Sequence, residues 1–128
     1  MCPICKKGTL SAWKGTETRL GVELEVIGER CSACGETLVS SVEADRQENQ
    51  LAAGLVARGV RAGNEFKLVR KVAGLMATEV AEILDVRPET VSRWERGEVE
   101  IPRAVAFALG ELYERPRVTR QKLEALAR

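Results

Sequence analysis

Four cysteines, Cys2, Cys5, Cys31 and Cys34, form two Cys-x-x-Cys pairs separated by 25 residues, and the chain has no other cysteine and no histidine. Each pair can offer two sulfurs from one tight turn, and two such knuckles together make a tetrahedral thiolate cage of the kind zinc prefers, with Zn–S bonds of about 2.3 Å. This constrains the fold more than any other feature. The first 35 or so residues must be organised around the site, and the rest must carry whatever else the protein does.

At 128 residues, 45% of them hydrophobic and 30% charged, the chain has room for one modest domain or two very small ones. No apolar run approaches the ~20 residues of a membrane span, and no apolar segment follows Met-Cys-Pro-Ile-Cys at the start. A cytoplasmic location is expected, and in a reducing compartment paired cysteines are ligands rather than disulfides. Four large aromatic anchors (Trp13, Phe66, Trp94 and Phe107), with Tyr113, leave the N-terminal core thin, so metal binding there should be coupled to folding. With 20 basic and 19 acidic residues, composition does not announce a nucleic-acid binder, and any such claim must rest on motif and placement.

Between the cysteine pairs, Leu20, Val22, Leu24 and Val26 recur at a period of two, which predicts a half-buried strand. Leu10 and Ala12, with a turn at Lys14-Gly15, predict a preceding strand and a hairpin running from one knuckle to the other. A helix is expected from Val42 to Arg58, with Leu51, Leu55 and Val56 on one face, and Gly59 and Gly63 then break it. The expected fold class is α+β with two small domains. One, 1–60, is a zinc-bound hairpin or sheet with a connecting helix. The other, 64–128, is an all-α domain of about five helices.

In that second part, helices are expected from Asn64 to Ala73, from Thr78 to Leu84, from Pro88 until Gly97, from Pro102, and from Thr119 to Ala127 beyond a break at Arg115-Pro116-Arg117. Asp85 follows the second as a residue that tolerates a left-handed turn. The stretch from Gly74 to Gly97 has the layout of a helix-turn-helix, whose second helix enters the DNA major groove. Ala81 is small where two helices meet, while Val91 and Trp94 plug the core. Arg87, Glu89, Thr90 and Arg93 project from the second helix toward base edges. Ala77 and Thr78 at the start of the first helix and Arg96 after the second complete the candidate DNA-binding set, and Lys71 and Arg103 are further candidates for phosphate contacts.

Leu75, Ala81, Leu84, Val86, Ser92, Arg93, Glu95 and Gly97 make this stretch resemble the Cro/repressor-like (XRE) helix-turn-helix family. It departs from the family pattern at Met76-Ala77, where Thr-Gln is usual, at Asp85 in place of the turn glycine, and at Glu89, which can accept only from cytosine N4 or pair with a neighbour such as Arg93. With Met1-Cys-Pro-Ile-Cys5 and Cys31-Ser-Ala-Cys34-Gly in the same short chain, the whole resembles the MqsA-type antitoxins. That resemblance implies one structural zinc, a homodimer formed through the C-terminal part, and binding to a palindromic operator in its own promoter. It also implies a ribonuclease toxin held by the N-terminal part, and no enzymatic activity. Other readings use the same residues: an interaction adaptor or a solitary regulator with a degenerate helix-turn-helix, and a rubredoxin-like iron electron carrier, whose two-knuckle site looks alike. Leu123 and Leu126 are the expected dimer contacts.

Overall fold

The computed structural model describes residues 1–127. A three-stranded antiparallel sheet of order β1-β2-β3 is built from β1 (Leu10–Arg19), β2 (Val22–Cys31) and β3 (Thr37–Leu38), and six helices follow it. These are α1 (Ser41–Arg58), α2 (Gly63–Val72), α3 (Ala77–Leu84), α4 (Pro88–Glu95), α5 (Arg103–Glu114) and α6 (Pro116–Leu126). The architecture is α+β, and the chain forms two compact units, Met1–Leu51 and the part from Ala52 onward. None of the helices is long and apolar enough to cross a membrane.

β1 and β2 pair without a bulge from Leu10↔Cys31 to Arg19↔Val22. The hairpin therefore turns at Leu20-Gly21, both at positive φ, and not at Lys14-Gly15. Gly15 lies inside β1 for another reason: the Trp13 ring lies across it, and any side chain there would collide with the indole. The Arg30 guanidinium stacks over the same ring, 3.8 Å from its centroid. β3 has two residues, too few to show the alternation by which a strand is read from sequence.

Leu24 and Val26 are buried on one face of the sheet, and Gln47 and Leu51 of α1 are buried in the same unit. Polar side chains of α1 reach the sheet directly. Glu43 accepts from the Ile27 N–H at 3.1 Å, Arg46 donates to the Glu25 carbonyl at 2.8 Å, and Gln47 accepts from Arg19 at 2.8 Å.

In the second unit the core is formed by Leu55, Val60, Phe66, Val69, Val80, Ala81, Val91, Trp94, Leu109 and Leu112. Phe66 and Trp94 meet at a centroid distance of 5.9 Å with planes tilted by 56°, within the range of favourable aromatic pairs. Gly63 does not end a helix; it begins α2. It lies so close to the carbonyl oxygens of Trp94 and Glu95 that a methyl group could not be placed there. Pro116 likewise opens α6 at its first position, where its missing N–H costs nothing, so the terminal helix starts before Thr119. Phe107 is not a core anchor. It is 71% exposed on α5, and α6 has no fully buried residue.

Candidate metal centre and nucleic-acid interface

The two cysteine turns are built alike. In the first, the Lys6 N–H donates to the Cys2 carbonyl at 2.8 Å, and in the second the Gly35 N–H donates to the Cys31 carbonyl at 3.2 Å. Lys6 and Gly35 both have positive φ, 61° and 75°. Each turn thus closes on the carbonyl of its own first cysteine, which points both sulfurs of the pair inward. Gly8 was not singled out from sequence, yet a Cβ there would run into the Cys31 sulfur and Ala33. Its signal was a glycine three residues after Cys5, where the knuckles must approach.

All four sulfurs lie within 4.8 Å of one another. The pairs Cys2–Cys34 and Cys5–Cys31 are 3.8 and 3.6 Å apart, too far for a disulfide bond of about 2.05 Å. A tetrahedron with metal–sulfur bonds near 2.3 Å has edges of ~3.8 Å, so the cluster already has the size of a four-thiolate metal cage. The residues present fit the metal.

Electrostatics agree. The backbone N–H groups of Cys34 and Ala33, with Sγ at 3.5 and 3.3 Å, pull the Cys31 thiol down to about 6. N–H groups of Lys7 and Gly8 lower Cys5 in the same way. At Cys34 the Glu36 N–H also pulls down, but desolvation and the crowded sulfurs of Cys31, Cys5 and Cys2 outweigh it and push that thiol up to about 12. Thiolates this close repel one another, and a bound cation removes the conflict while releasing the remaining protons. Such a site, closed by four protein ligands, leaves no open position for a substrate.

In the helical unit, α3 and α4 are joined by the three residues Asp85, Val86 and Arg87. Asp85 takes the left-handed conformation, φ 57° and ψ 48°, and Val86 N–H closes the helix end on the Ala81 carbonyl at 2.9 Å. The cap that Met76-Ala77 does not supply comes from Glu79, which accepts from the Met76 N–H at 3.0 Å. Pro88 occupies the first position of α4.

Val91 and Trp94 face the core, while Arg87, Glu89 and Arg93 are exposed and Thr90 is half-buried. Arg87 and Arg93 form no ion pair or side-chain hydrogen bond among the described residues, and Glu89 does not pair with Arg93. Thr78 is exposed and Ala77 half-buried at the start of α3. Arg96 is exposed but engaged with Glu98 at 2.9 Å.

Sequence reasoning missed what holds α4 in place. The Arg70 guanidinium grips Glu95 through two bonds, of 2.7 and 3.1 Å, and donates a third to the Leu75 carbonyl at 2.9 Å. Both side chains are about nine-tenths buried. A second pair, Arg58–Glu65 at 2.7 Å, secures the start of α2. Burial pushes the Glu65 carboxyl up, but Arg58 and the N–H groups of Arg61 and Ala62 outweigh it and hold the group below its ordinary range.

Residues 1–119 match the family described as the antitoxin component of bacterial toxin-antitoxin system, MqsA. No curated protein matches the chain. The family match spans both the four-cysteine cluster and the α3–α4 pair, and the chain belongs to the MqsA antitoxin family.

Proposed function

We propose that this antitoxin is a zinc-stabilised, dimeric repressor that binds a palindromic operator in its own promoter in the cytoplasm and holds a ribonuclease toxin through its N-terminal domain. In this reading residues 1–60 form the zinc domain. Residues 64–128 form an XRE-type DNA-binding and dimerisation domain, and the protein has no enzymatic role. Cys2, Cys5, Cys31 and Cys34 hold one structural zinc ion per chain, which fixes a sheet with little apolar core of its own.

The observation that carries the DNA reading is the outer face of α4. Arg87 at the N-cap and Arg93, both without a side-chain partner among the described residues, stand beside Glu89 and Thr90 on a helix whose opposite side is locked into the core by Val91 and Trp94. Arginines free of internal partners are available for the bidentate contacts that read guanine, with phosphate contacts from Arg96 and the start of α3 at Ala77 and Thr78 fixing the register. One such helix reads too few base pairs, and a two-fold dimer with half-sites about 34 Å apart supplies the rest. The exposed apolar groups Phe107, Val118 and Leu126, with half-buried Leu123, line a groove of about 440 Å³ between α5 and α6 that suits the dimer contact.

A gel-shift with the DNA upstream of the gene tests this. Retardation at low salt is expected, and Arg93→Ala should weaken it by about 1–3 kcal/mol, or five- to 150-fold. No retardation of the wild type refutes the DNA reading. Colourless protein with one zinc per chain is expected on elemental analysis, whereas a coloured iron protein refutes the zinc assignment.

A further inference from the structure

The sheet has two edges, and the molecule treats them differently. Beyond the short β3, the outer edge of β2 is covered by α1: Glu43 accepts from the Ile27 N–H and Arg46 donates to the Glu25 carbonyl. Cys31, also on that side, donates to the Glu36 carbonyl. The odd-numbered residues of β2 therefore direct their backbone groups away from β1, and the even-numbered ones direct theirs toward it.

The register then fixes which groups of β1 are free. Val22, Leu24, Val26, Gly28 and Arg30 are opposite Arg19, Glu17, Gly15, Trp13 and Ser11, so these five exchange the ladder bonds. Their alternates, Leu10, Ala12, Lys14, Thr16 and Thr18, turn their N–H and C=O groups to the open side. Those groups have no hydrogen bond among the described residues. The edge runs ten residues, about 33 Å; among the described residues of Met1–Leu51 it has no proline, bulge or covering helix, and of the devices that blunt an exposed edge it carries one lysine, Lys14, drawn toward Glu25 at 3.5 Å. A sheet whose one edge is capped by two side chains of α1 and whose longer edge keeps its backbone groups unbonded among the described residues has a template for a strand from elsewhere.

We propose that the open edge of β1 docks an extended strand of the partner toxin, which joins the sheet through main-chain bonds at Ala12, Lys14, Thr16 and Thr18. The toxin is favoured over a second copy because family membership supplies a dedicated partner, and the exposed apolar surface of α5 and α6 already offers copies a place to meet. The inference rests on the antitoxin reading and adds to it the surface and the mode of binding. Affinity comes from directional backbone bonds, so substitutions that only change side chains on the exposed face, such as Thr18→Ser, leave it within about twofold.

The test is amide hydrogen exchange on the full metal-loaded chain, alone and with the protein encoded by the adjacent reading frame. Amides of Ala12, Lys14, Thr16 and Thr18 should exchange freely in the isolated chain and slow at least tenfold in the complex. Those of Trp13, Gly15 and Glu17 should be protected in both. Thr16→Pro removes one outward N–H, a substitution that edge strands accept, and should weaken the complex about tenfold or more while metal content and operator retardation stay unchanged. A complex that leaves the four amides unprotected overturns the docking site but not the toxin partnership. No complex at all overturns both. Concentration-dependent protection without the toxin assigns the edge to a second copy and overturns the proposal.

Discussion

Replacing Glu95 by alanine should be among the most damaging single changes in the helical unit. Two of the three hydrogen bonds of the Arg70 guanidinium go to Glu95, at 2.7 and 3.1 Å, and the third, to the Leu75 carbonyl, cannot neutralise its charge. With both side chains about nine-tenths buried, Glu95→Ala leaves a cation enclosed without a counter-charge, a loss of about 3–5 kcal/mol. That is a large part of the 5–15 kcal/mol typical of a domain. At about 4–8 °C per kcal/mol for a unit of this size, melting followed by helical circular dichroism should fall by more than about 10 °C. Arg70→Met combined with Glu95→Leu should recover most of the loss, because apolar residues of similar volume need no counter-charge. If Glu95→Ala costs less than about 1 kcal/mol, the pair is effectively hydrated and the reasoning fails. A double variant no more stable than Glu95→Ala would equally refute it.

Gly63→Ala should destabilise the same unit by about 1–3 kcal/mol in denaturant titrations, because the new methyl meets the backbone carbonyls of Trp94 and Glu95 rather than a side chain that can move aside. Glu65 is held below its ordinary value of 4.5, so its contribution is full above that pH and is lost as the pH falls below it. Stability measured from pH 6 downward should therefore decline less steeply in Glu65→Gln than in the wild type, and parallel curves would count against the assignment. Phe107 is 71% exposed, so Phe107→Glu should leave the helical circular dichroism spectrum unchanged at low temperature while shifting sedimentation from dimer toward monomer. An unchanged dimer would place the interface elsewhere.

The metal cluster and the α3–turn–α4 unit were legible because each rests on local chemistry: sulfurs at fixed spacing, and an apolar stripe interrupted by Asp85 and Pro88. The third strand and the hairpin turn were not. Gly15 resembled a turn residue, but its bareness accommodates the Trp13 ring, a contact visible only once the strand is extended and its side chains face the same way. Gly63 was misread for the same reason, since its neighbours are carbonyls about thirty residues further along the chain. Arg70 and Glu95 are 25 residues apart, and in sequence each passes for an ordinary helix surface charge. Phe107 was counted toward the core on size, although it lies on the outside of α5. Local pattern thus revealed the elements, while the contacts that select their arrangement depend on distant pairs.

All four sulfur ligands lie in Met1–Leu51, and the unit from Ala52 onward has no cysteine or histidine. With the metal bound as proposed, folding of the first unit is tied by mass action to free metal ion. Once the site is near saturation, each tenfold rise in free metal ion adds about 1.4 kcal/mol to the folded state that holds it. The metal supply of the cell thereby bears on the folded state of the chain through ligands drawn from its first unit alone.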